Sequence, residues 1–198
     1  MQNKLSIRPQ VTMLSVLKHI EYQTWFALAE FIDNAIDSYL KNEAAIKEIE
    51  GENFQLEVKV EINEPENRIT IRDNAGGIGK SDYPRAFRAA EVPPDNSGLS
   101  EFGMGMKSAA CWFADNWCVT TTALGEDNVK KVVFDMQRIF EDKLEELDEW
   151  CCFATLFTFF SCSKSCVAMS FTIFAFTALP KALKAALSFS GSFKPCSD

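Results

Sequence analysis

Hydrophobic and polar positions along this chain follow two periods, one typical of helices and one typical of strands. The pattern predicts helices over 12–21, 25–48, 81–90, 101–114 and 137–148. The stretches "FQLEVKVEIN" (54–63) and "NRITIRD" (67–73) alternate apolar with polar residues and predict one hairpin. "WCVTTTAL" (117–124) and "KKVVFDM" (130–136) predict a second. Helices that precede and separate antiparallel hairpins indicate an α+β two-layer sandwich.

The turns and helix ends are also marked in the sequence. Residues 64–67, Glu-Pro-Glu-Asn, and residues 125–128, Gly-Glu-Asp-Asn, supply the turns of the two hairpins. Thr24 stands immediately before the longest helix, where a hydroxyl can accept a hydrogen bond from a free backbone N–H group. We therefore expect Thr24 to be the N-cap of that helix.

Length and charge limit the function classes. A chain of 198 residues suits one domain with a sizeable core. Its net charge of −8 and pI near 4.8 argue against non-specific binding to nucleic acid and against a membrane partner. The opening residues "MQNKLSIRPQ" lack the apolar segment of a secretion signal, so a cytoplasmic protein is expected.

The seven cysteines do not form a zinc-binding pattern. No CxxC pair is present, and His19 is the one histidine in the sequence. In a reducing cytosol, all seven are expected to be free thiols.

Composition changes abruptly near residue 150. All but one of the 28 acidic residues lie in 1–150, whereas 151–198 is rich in Phe, Ser and Cys and contains neither Glu nor Arg. This tail has three interpretations. "ATLFTFF" (154–160) is a candidate last strand of the sheet, and the apolar run 165–179 is short for a membrane span. A frameshift would also produce such a change, which would make the end of the chain unnatural or poorly ordered.

Four polar residues follow one stripe of the helix predicted over 25–48. Glu30, Asp33, Asn34 and Asp37 are separated by three, four and seven positions, between apolar flanks. A carboxylate and a carboxamide four residues apart can serve one Mg²⁺ and one attacking water. The Asn34 carbonyl oxygen suits a hard cation that keeps most of its waters, and Glu30 can accept the proton of the water.

Two further stretches carry candidate chemistry. In "DNAGGIG" (73–79), Asp73 ends a strand and can accept a hydrogen bond from an exocyclic amine, while Gly77 lets a flat ligand approach the backbone. In "GLSEFGMGMKSAA" (98–110), Gly103 and Gly105 open a helix whose first N–H groups form an anion site. Lys107 and Ser108 lie in its first turn, so a phosphate chain is the expected ligand.

These three stretches, in this order, resemble the GHKL (Bergerat-fold) ATPases, a group that includes gyrase B, the ninety-kilodalton heat-shock chaperone, MutL, MORC proteins and sensor histidine kinases. The resemblance covers roughly residues 11–136. "AEFIDNAIDS" with "FGMGMKSAA" is most similar to MORC-like, chaperone-like and MutL-like members. It implies a mixed, mostly antiparallel sheet with the helices on one face, formed by residues 1–150, with 151–198 as a tail.

The resemblance also assigns roles to individual residues. It implies that Glu30 is the general base, that Asn34 is the Mg²⁺ ligand and that Asp73 accepts the adenine amino group. Gly77 would allow the base to approach, and residues 79–102 would form a lid. The phosphates would bind at Gly103, Gly105, Lys107 and Ser108. The chain departs from the family in two ways: Ala75 stands where many members have Gly, and no partner domain supplies a lysine to the γ-phosphate.

The expected activity is therefore Mg²⁺-dependent binding and slow hydrolysis of ATP, with lid closure and a homodimer on ATP binding. One alternative is an ATP-binding switch without turnover, and another is a structural protein that needs no nucleotide. A histidine kinase is disfavoured, because His19 lies too close to Glu30 to belong to a separate phospho-acceptor domain. A nucleic-acid or client-protein partner and the biological process are not specified by the sequence.

Overall fold

The computed structural model describes residues 13–88, 104–153 and 169–174. In chain order, the helices and strands are α1 (Met13–Leu17), α2 (Thr24–Glu50), β1 (Val58–Asn63), β2 (Arg68–Asp73), α3 (Tyr83–Phe87), α4 (Gly105–Phe113), β3 (Asn116–Thr121), β4 (Asn128–Asp135), α5 (Met136–Glu141), β5 (Glu149–Phe153) and β6 (Met169–Phe174). A short 3-10 helix, Lys80–Asp82, precedes α3.

The six strands form one sheet in the order β1-β2-β6-β3-β4-β5. The five strand pairs of the described ranges are all antiparallel, so the mostly antiparallel sheet is confirmed and parallel pairing is not seen there. Both predicted hairpins, β1–β2 and β3–β4, are present.

The tail contributes to this sheet. β5 crosses residue 150, and β6 pairs with β2 on one side and β3 on the other. Residues 169–174, from the apolar run of the tail, thus supply a central strand. The candidate strand at 154–160 lies outside the described residues. A domain boundary at residue 150 would cut the sheet.

The described helices pack on one face of the sheet. On β4, Val132 and Phe134 are buried while the intervening Val133 is exposed, as expected for a strand with one covered face. Val132 and Phe134 belong to the same apolar cluster as Phe31 of α2 and Ala110 of α4. The α+β two-layer fold is therefore confirmed.

The predicted N-cap of α2 is wrong. Gln23 occupies that position with an extended backbone (φ −85°, ψ 139°) and makes no side-chain capping bond. Thr24 is the first helical residue, and its hydroxyl is buried. The cap therefore lies one residue earlier than the sequence analysis placed it.

Several other elements are shorter than predicted, among them β1 and α5. β1 begins at Val58 because the Asn74 side chain bonds the backbone of Glu57 and Gln55, which takes the place of strand pairing. The helix predicted over 137–148 ends at Glu141, since Lys143 adopts a positive φ of 51°. In the described ranges, every helix is too short or too polar to span a membrane.

Candidate nucleotide site

Glu30 and Asn34 lie on consecutive turns of α2, both half-buried. Asn34 Nδ2 donates a hydrogen bond to the backbone carbonyl of Glu30. This bond fixes the carboxamide along the helix and leaves its carbonyl oxygen, Oδ1, as the atom that can bind a cation. The two side chains are thus placed as the sequence predicted, side by side on one stripe.

The carboxylate of Glu30 lies directly over the start of α4. A Cβ atom added to Gly105 would overlap Glu30 Oε2 and lie 2.7 Å from its Cδ. A side chain at position 105 would fit only if the Glu30 carboxylate moved away, so glycine allows this carboxylate to approach the N-terminus of α4. The structure therefore brings together two residues that are 75 positions apart in the sequence.

Gly105→Ala is expected to displace the Glu30 carboxylate without harming the fold. Alanine favours a helix over glycine by about 0.5–1 kcal/mol, and the overlapping atoms are the mobile end of a side chain. We expect an unchanged or higher melting temperature together with a loss of ATP turnover of about 10-fold to 100-fold, typical of a misplaced reacting group. Full turnover in Gly105→Ala would show that the contact is irrelevant to the chemistry.

The environment of Glu30 favours a proton acceptor. Burial raises the pKa of its carboxyl group above the usual value, and the neighbouring Asp33 raises it further. A hydrogen bond from Tyr22 opposes this shift, because the phenol donates to the ionised carboxylate. A raised pKa strengthens a general base that must still be ionised at neutral pH.

Asp73 lies at the end of β2, followed by what we call the Asp73 turn (residues 73–78). Its side chain is buried, and Oδ1 accepts a hydrogen bond of 3.0 Å from the Ala75 N–H group. Burial raises the pKa of Asp73 to about 6. The second oxygen, Oδ2, is the one that remains for an exocyclic amine.

The Asp73 turn is fixed by hydrogen bonds to two neighbouring elements. Gly76 N–H donates to Ser38 Oγ of α2 at 3.2 Å, and Ile78 N–H donates to Thr121 Oγ1 of β3 at 2.9 Å. Gly77 has φ +65°, a conformation that favours glycine. Ala75 is not among the residues with positive φ, so alanine fits this turn although many family members have Gly there.

Thr121 was missed by the sequence analysis. In the sheet, Asp73 pairs with Met169 of β6, and Met169 pairs with Thr121, so Asp73 and Thr121 lie in one row with a single strand between them. Thr121 is 2 % exposed. Thr121 follows Trp117 and Val119 at every second position, and this spacing is visible in the sequence. Its place in one row with Asp73, however, depends on β6 lying between β2 and β3.

Lys107 is not directed towards Glu30. Its side chain is 1 % exposed, and its ammonium donates to the carbonyls of Arg85 and Ala86 in α3, at 2.8 and 3.1 Å. Ser108 is also buried, and its hydroxyl donates to the Met104 carbonyl at 3.0 Å. A phosphate contact by Lys107 would require it to leave these carbonyls.

Three further predictions concern the lid, Asp37 and His19. Gly103 and residues 89–102 of the proposed lid lie outside the described residues. Asp37 is buried on α2 and lies 4.0 Å from Lys41, in keeping with a supporting role. His19 is exposed in the turn that follows α1.

The side-chain oxygens of this site suit Mg²⁺ only together with the phosphate oxygens of a nucleotide. Within the described residues, no group of three His, Cys, Asp or Glu side chains could hold a metal by itself. Mg²⁺ keeps several waters and commonly binds one or two protein oxygens plus substrate phosphates. Asn34 Oδ1 lies one helical turn from Glu30, whose carboxylate contacts the N-terminus of α4, and a single neutral oxygen of this kind fits that mode of binding.

Comparison with known protein families gives one match. Residues 22–154 match the family model described as histidine kinase-, DNA gyrase B-, and HSP90-like ATPase. The match begins at Tyr22 and includes α2, the Asp73 turn, α4 and β5, which is well over half of the chain. A search of curated proteins finds no significant match.

Proposed function

This chain belongs to the histidine kinase-, DNA gyrase B- and HSP90-like ATPase family, and on that premise we propose that it binds ATP between α2, the Asp73 turn and α4. We further propose that it hydrolyses ATP slowly to ADP and phosphate in a Mg²⁺-dependent reaction. The observation that carries this proposal is the position of the Glu30 carboxylate against Gly105, at the N-terminus of α4.

Nucleotide binding uses the two ends of this site. Asp73 Oδ2 accepts the hydrogen bond of the adenine amino group, and Gly77 lets the base lie against the backbone. The first intrahelical bond of α4 runs from Ser108 N–H to the Met104 carbonyl. The N–H groups of Gly105 and Met106 precede that bond and face the phosphates, as at other helix N-termini.

Hydrolysis follows from the arrangement at Glu30. The carboxylate orients a water and takes one of its protons as the water oxygen bonds to the γ-phosphorus. The bond from this phosphorus to the β–γ bridging oxygen breaks, and ADP leaves with the bonding electrons. Asn34 Oδ1 would hold a Mg²⁺ together with the phosphates, and the ion would supply positive charge to the phosphate oxygens. Gly103 and Ser108 complete the proposed phosphate site, and Lys107 would join it only by leaving the carbonyls of Arg85 and Ala86.

Several finer expectations belong to this proposal. The resemblance of "AEFIDNAIDS" and "FGMGMKSAA" supports a MORC-like, chaperone-like or MutL-like subfamily, with lid closure over residues 79–102 and dimerisation on ATP binding. The free thiols of Cys111 and Cys118 are in keeping with a cytoplasmic location. A switch that binds ATP without turnover is the second candidate function. Such a switch would have the same nucleotide site, but its Glu30 would not activate a water.

Titration calorimetry with the full chain tests the proposal. Mg²⁺-ATP is expected to bind, and Mg²⁺-GTP to bind more weakly, because guanine presents an acceptor oxygen where adenine presents an amino donor to Asp73. Phosphate release should follow ATP binding and stop when EDTA removes the metal. ATP binding without phosphate release would favour the switch, whereas no heat with either nucleotide would indicate a structural role.

A further inference from the structure

Two side-chain hydroxyl groups, from two different elements, hold the Asp73 turn. Ser38 is half-buried on α2, and its Oγ accepts a hydrogen bond of 3.2 Å from the Gly76 N–H group. Thr121 is buried on β3, and its Oγ1 accepts a hydrogen bond of 2.9 Å from the Ile78 N–H group. A helix and a strand therefore fix this turn at two points, one on each side of the glycine that is assigned to the base.

Glycines make the shape of this turn depend on bonds to other elements. Gly76 and Gly77 are consecutive, and glycine loses more conformational freedom on folding than any other residue. Gly77 has φ +65°, which is only one of the conformations open to it. Besides the two bonds to hydroxyl groups, the Gly76 carbonyl accepts a hydrogen bond of 2.9 Å from the Leu124 N–H group. Contacts with neighbouring elements therefore select one shape of the turn.

The turn lies very close to α2. A Cβ atom added to Gly76 would lie 2.6 Å from Asn42 Nδ2 and 2.9 Å from Asn42 Cγ. Asn42 Nδ2 donates a hydrogen bond of 2.8 Å to the Ser38 carbonyl, which holds this carboxamide along the helix. Since glycine leaves room for the Asn42 side chain, the backbone at position 76 can approach α2 closely enough to bond Ser38 Oγ.

The same helix connects the two ends of the proposed nucleotide site. Four polar residues of α2 follow one another at intervals of four and form one stripe: Glu30, Asn34, Ser38 and Asn42. Glu30 contacts Gly105 at the phosphate end, and Ser38 bonds the turn at the base end. The eight residues from Glu30 to Ser38 correspond to about 12 Å of helix, a distance that a nucleoside triphosphate can span. The stripe thus sets the separation of the two ends.

We propose that Ser38 and Thr121 are positioning residues for the base of the nucleotide. Their hydroxyl oxygens hold the Asp73 turn in the shape in which it receives adenine. The apparent affinity for a ligand falls with the fraction of molecules that have the binding shape, so these two bonds set the affinity for the base. This inference rests on the proposed function, because the turn needs this shape only if it binds adenine.

The first test measures ATP binding in variants that lose one hydroxyl group. Ser38→Ala removes the acceptor on α2 and introduces a better helix former. Thr121→Val keeps the shape of the side chain, and valine suits a strand. We expect each change to raise the Kd for Mg²⁺-ATP by about 2-fold to 10-fold, the effect of one neutral hydrogen bond. The KM for ATP should rise with it, while kcat at saturating ATP stays that of wild type.

Two further variants serve as controls for Thr121→Val. Thr121→Ser keeps the hydroxyl group and should restore the Kd of wild type, which a loss of packing alone would not do. Thr120→Val removes a hydroxyl from the next residue of β3, which is half-buried and lies on the opposite face of the strand. It should leave the Kd unchanged.

The second test needs neither ATP nor turnover. Amide hydrogen exchange of the nucleotide-free chain, followed by NMR, reports whether the N–H groups of the turn are bonded. The Ile78 amide should exchange about 2-fold to 10-fold faster in Thr121→Val, and the Gly76 amide should do so in Ser38→Ala. The amide of Val132 on β4 should exchange as in wild type, because the sheet is intact.

The outcomes separate this inference from the proposed function. If wild type binds no Mg²⁺-ATP, the proposed function is refuted and the role of the two hydroxyl groups with it. If wild type binds ATP and both Ser38→Ala and Thr121→Val bind it equally well, only this inference is refuted. A Kd for Thr121→Ser as high as that of Thr121→Val, or a weaker affinity without faster exchange in the turn, would also overturn it.

Discussion

Glu30→Gln is expected to reduce ATP turnover by about 10²-fold to 10⁴-fold, the usual contribution of a general base. Glutamine has nearly the same shape, so the contact with Gly105 is kept while the proton acceptor is lost. The Kd for Mg²⁺-ATP should therefore change little. Phosphate release under single-turnover conditions, paired with calorimetry, measures the two quantities separately.

Glu43→Gln is the matched control for this substitution. Glu43 lies on the same helix and accepts hydrogen bonds from Tyr39 and Lys47. Loss of these bonds changes the surface of α2 far from Gly105, so turnover should equal that of wild type. Equal turnover in Glu30→Gln and wild type would remove Glu30 from the mechanism, even if ATP binds as expected.

Asp73→Asn is expected to weaken ATP binding and to stabilise the protein at neutral pH. The asparagine oxygen can still accept the Ala75 N–H bond, but its amino group would face the adenine amino group, donor against donor. Hydrogen bonds to charged groups contribute about 1.5–3 kcal/mol, so we expect a loss of affinity of about 10-fold or more. Calorimetry at neutral pH measures this effect.

The stability gain follows from the raised pKa of Asp73. Burial raises it from 3.8 to about 6, so the folded state keeps the proton that the unfolded state releases. Between those two values stability falls as pH rises, by up to about 3 kcal/mol above pH 6. The uncharged carboxamide of the Asp73→Asn variant has no such cost. The gain of the variant over wild type should therefore grow from about pH 4 to about pH 7 and then level off.

Urea denaturation across this pH range gives the difference between variant and wild type. Taking the difference matters because burial also raises the pKa of Glu30, and this contributes in the same direction in both proteins. Asp127→Asn serves as the control, since Asp127 is exposed in the loop between β3 and β4. A variant that is no more stable than wild type at neutral pH would show that Asp73 is ionised there at little cost.

The sequence pattern predicted those parts of the fold that depend only on residues close together in the chain. The stripe of Glu30 and Asn34 depends only on helical geometry, and the two hairpins depend on alternation and turn residues. The Asp73 turn was predictable for the same reason, because a strand that ends in an acidic residue and glycines specifies its own turn. These features need no knowledge of distant residues.

The central strand could not be predicted this way. β6 is an apolar run like those of buried helices or short membrane segments, and its partners lie about 50 and 100 residues earlier in the chain. Because the row that joins Asp73 to Thr121 passes through β6, Thr121 was missed for the same reason. The register of non-neighbouring strands is a property of the folded sheet.

The orientation of Lys107 could have been predicted from helical geometry alone. Two residues along a helix correspond to a rotation of about 200°, and three residues to about 300°. If Gly105 faces Glu30, Ser108 lies near the same side and Lys107 lies on the opposite one. The spacing of "GMKS" therefore favoured Ser108 over Lys107 as the neighbour of Glu30.

The place of β6 between β2 and β3 has a consequence for the nascent chain. As the ribosome proceeds, the β1–β2 hairpin and the β3–β4–β5 strands are complete before residues 169–174 emerge. Until then β2 and β3 each present an unpaired edge, which can template association with other chains. A chain released before residue 169 would keep both edges open, so premature termination should yield aggregates rather than a smaller soluble domain.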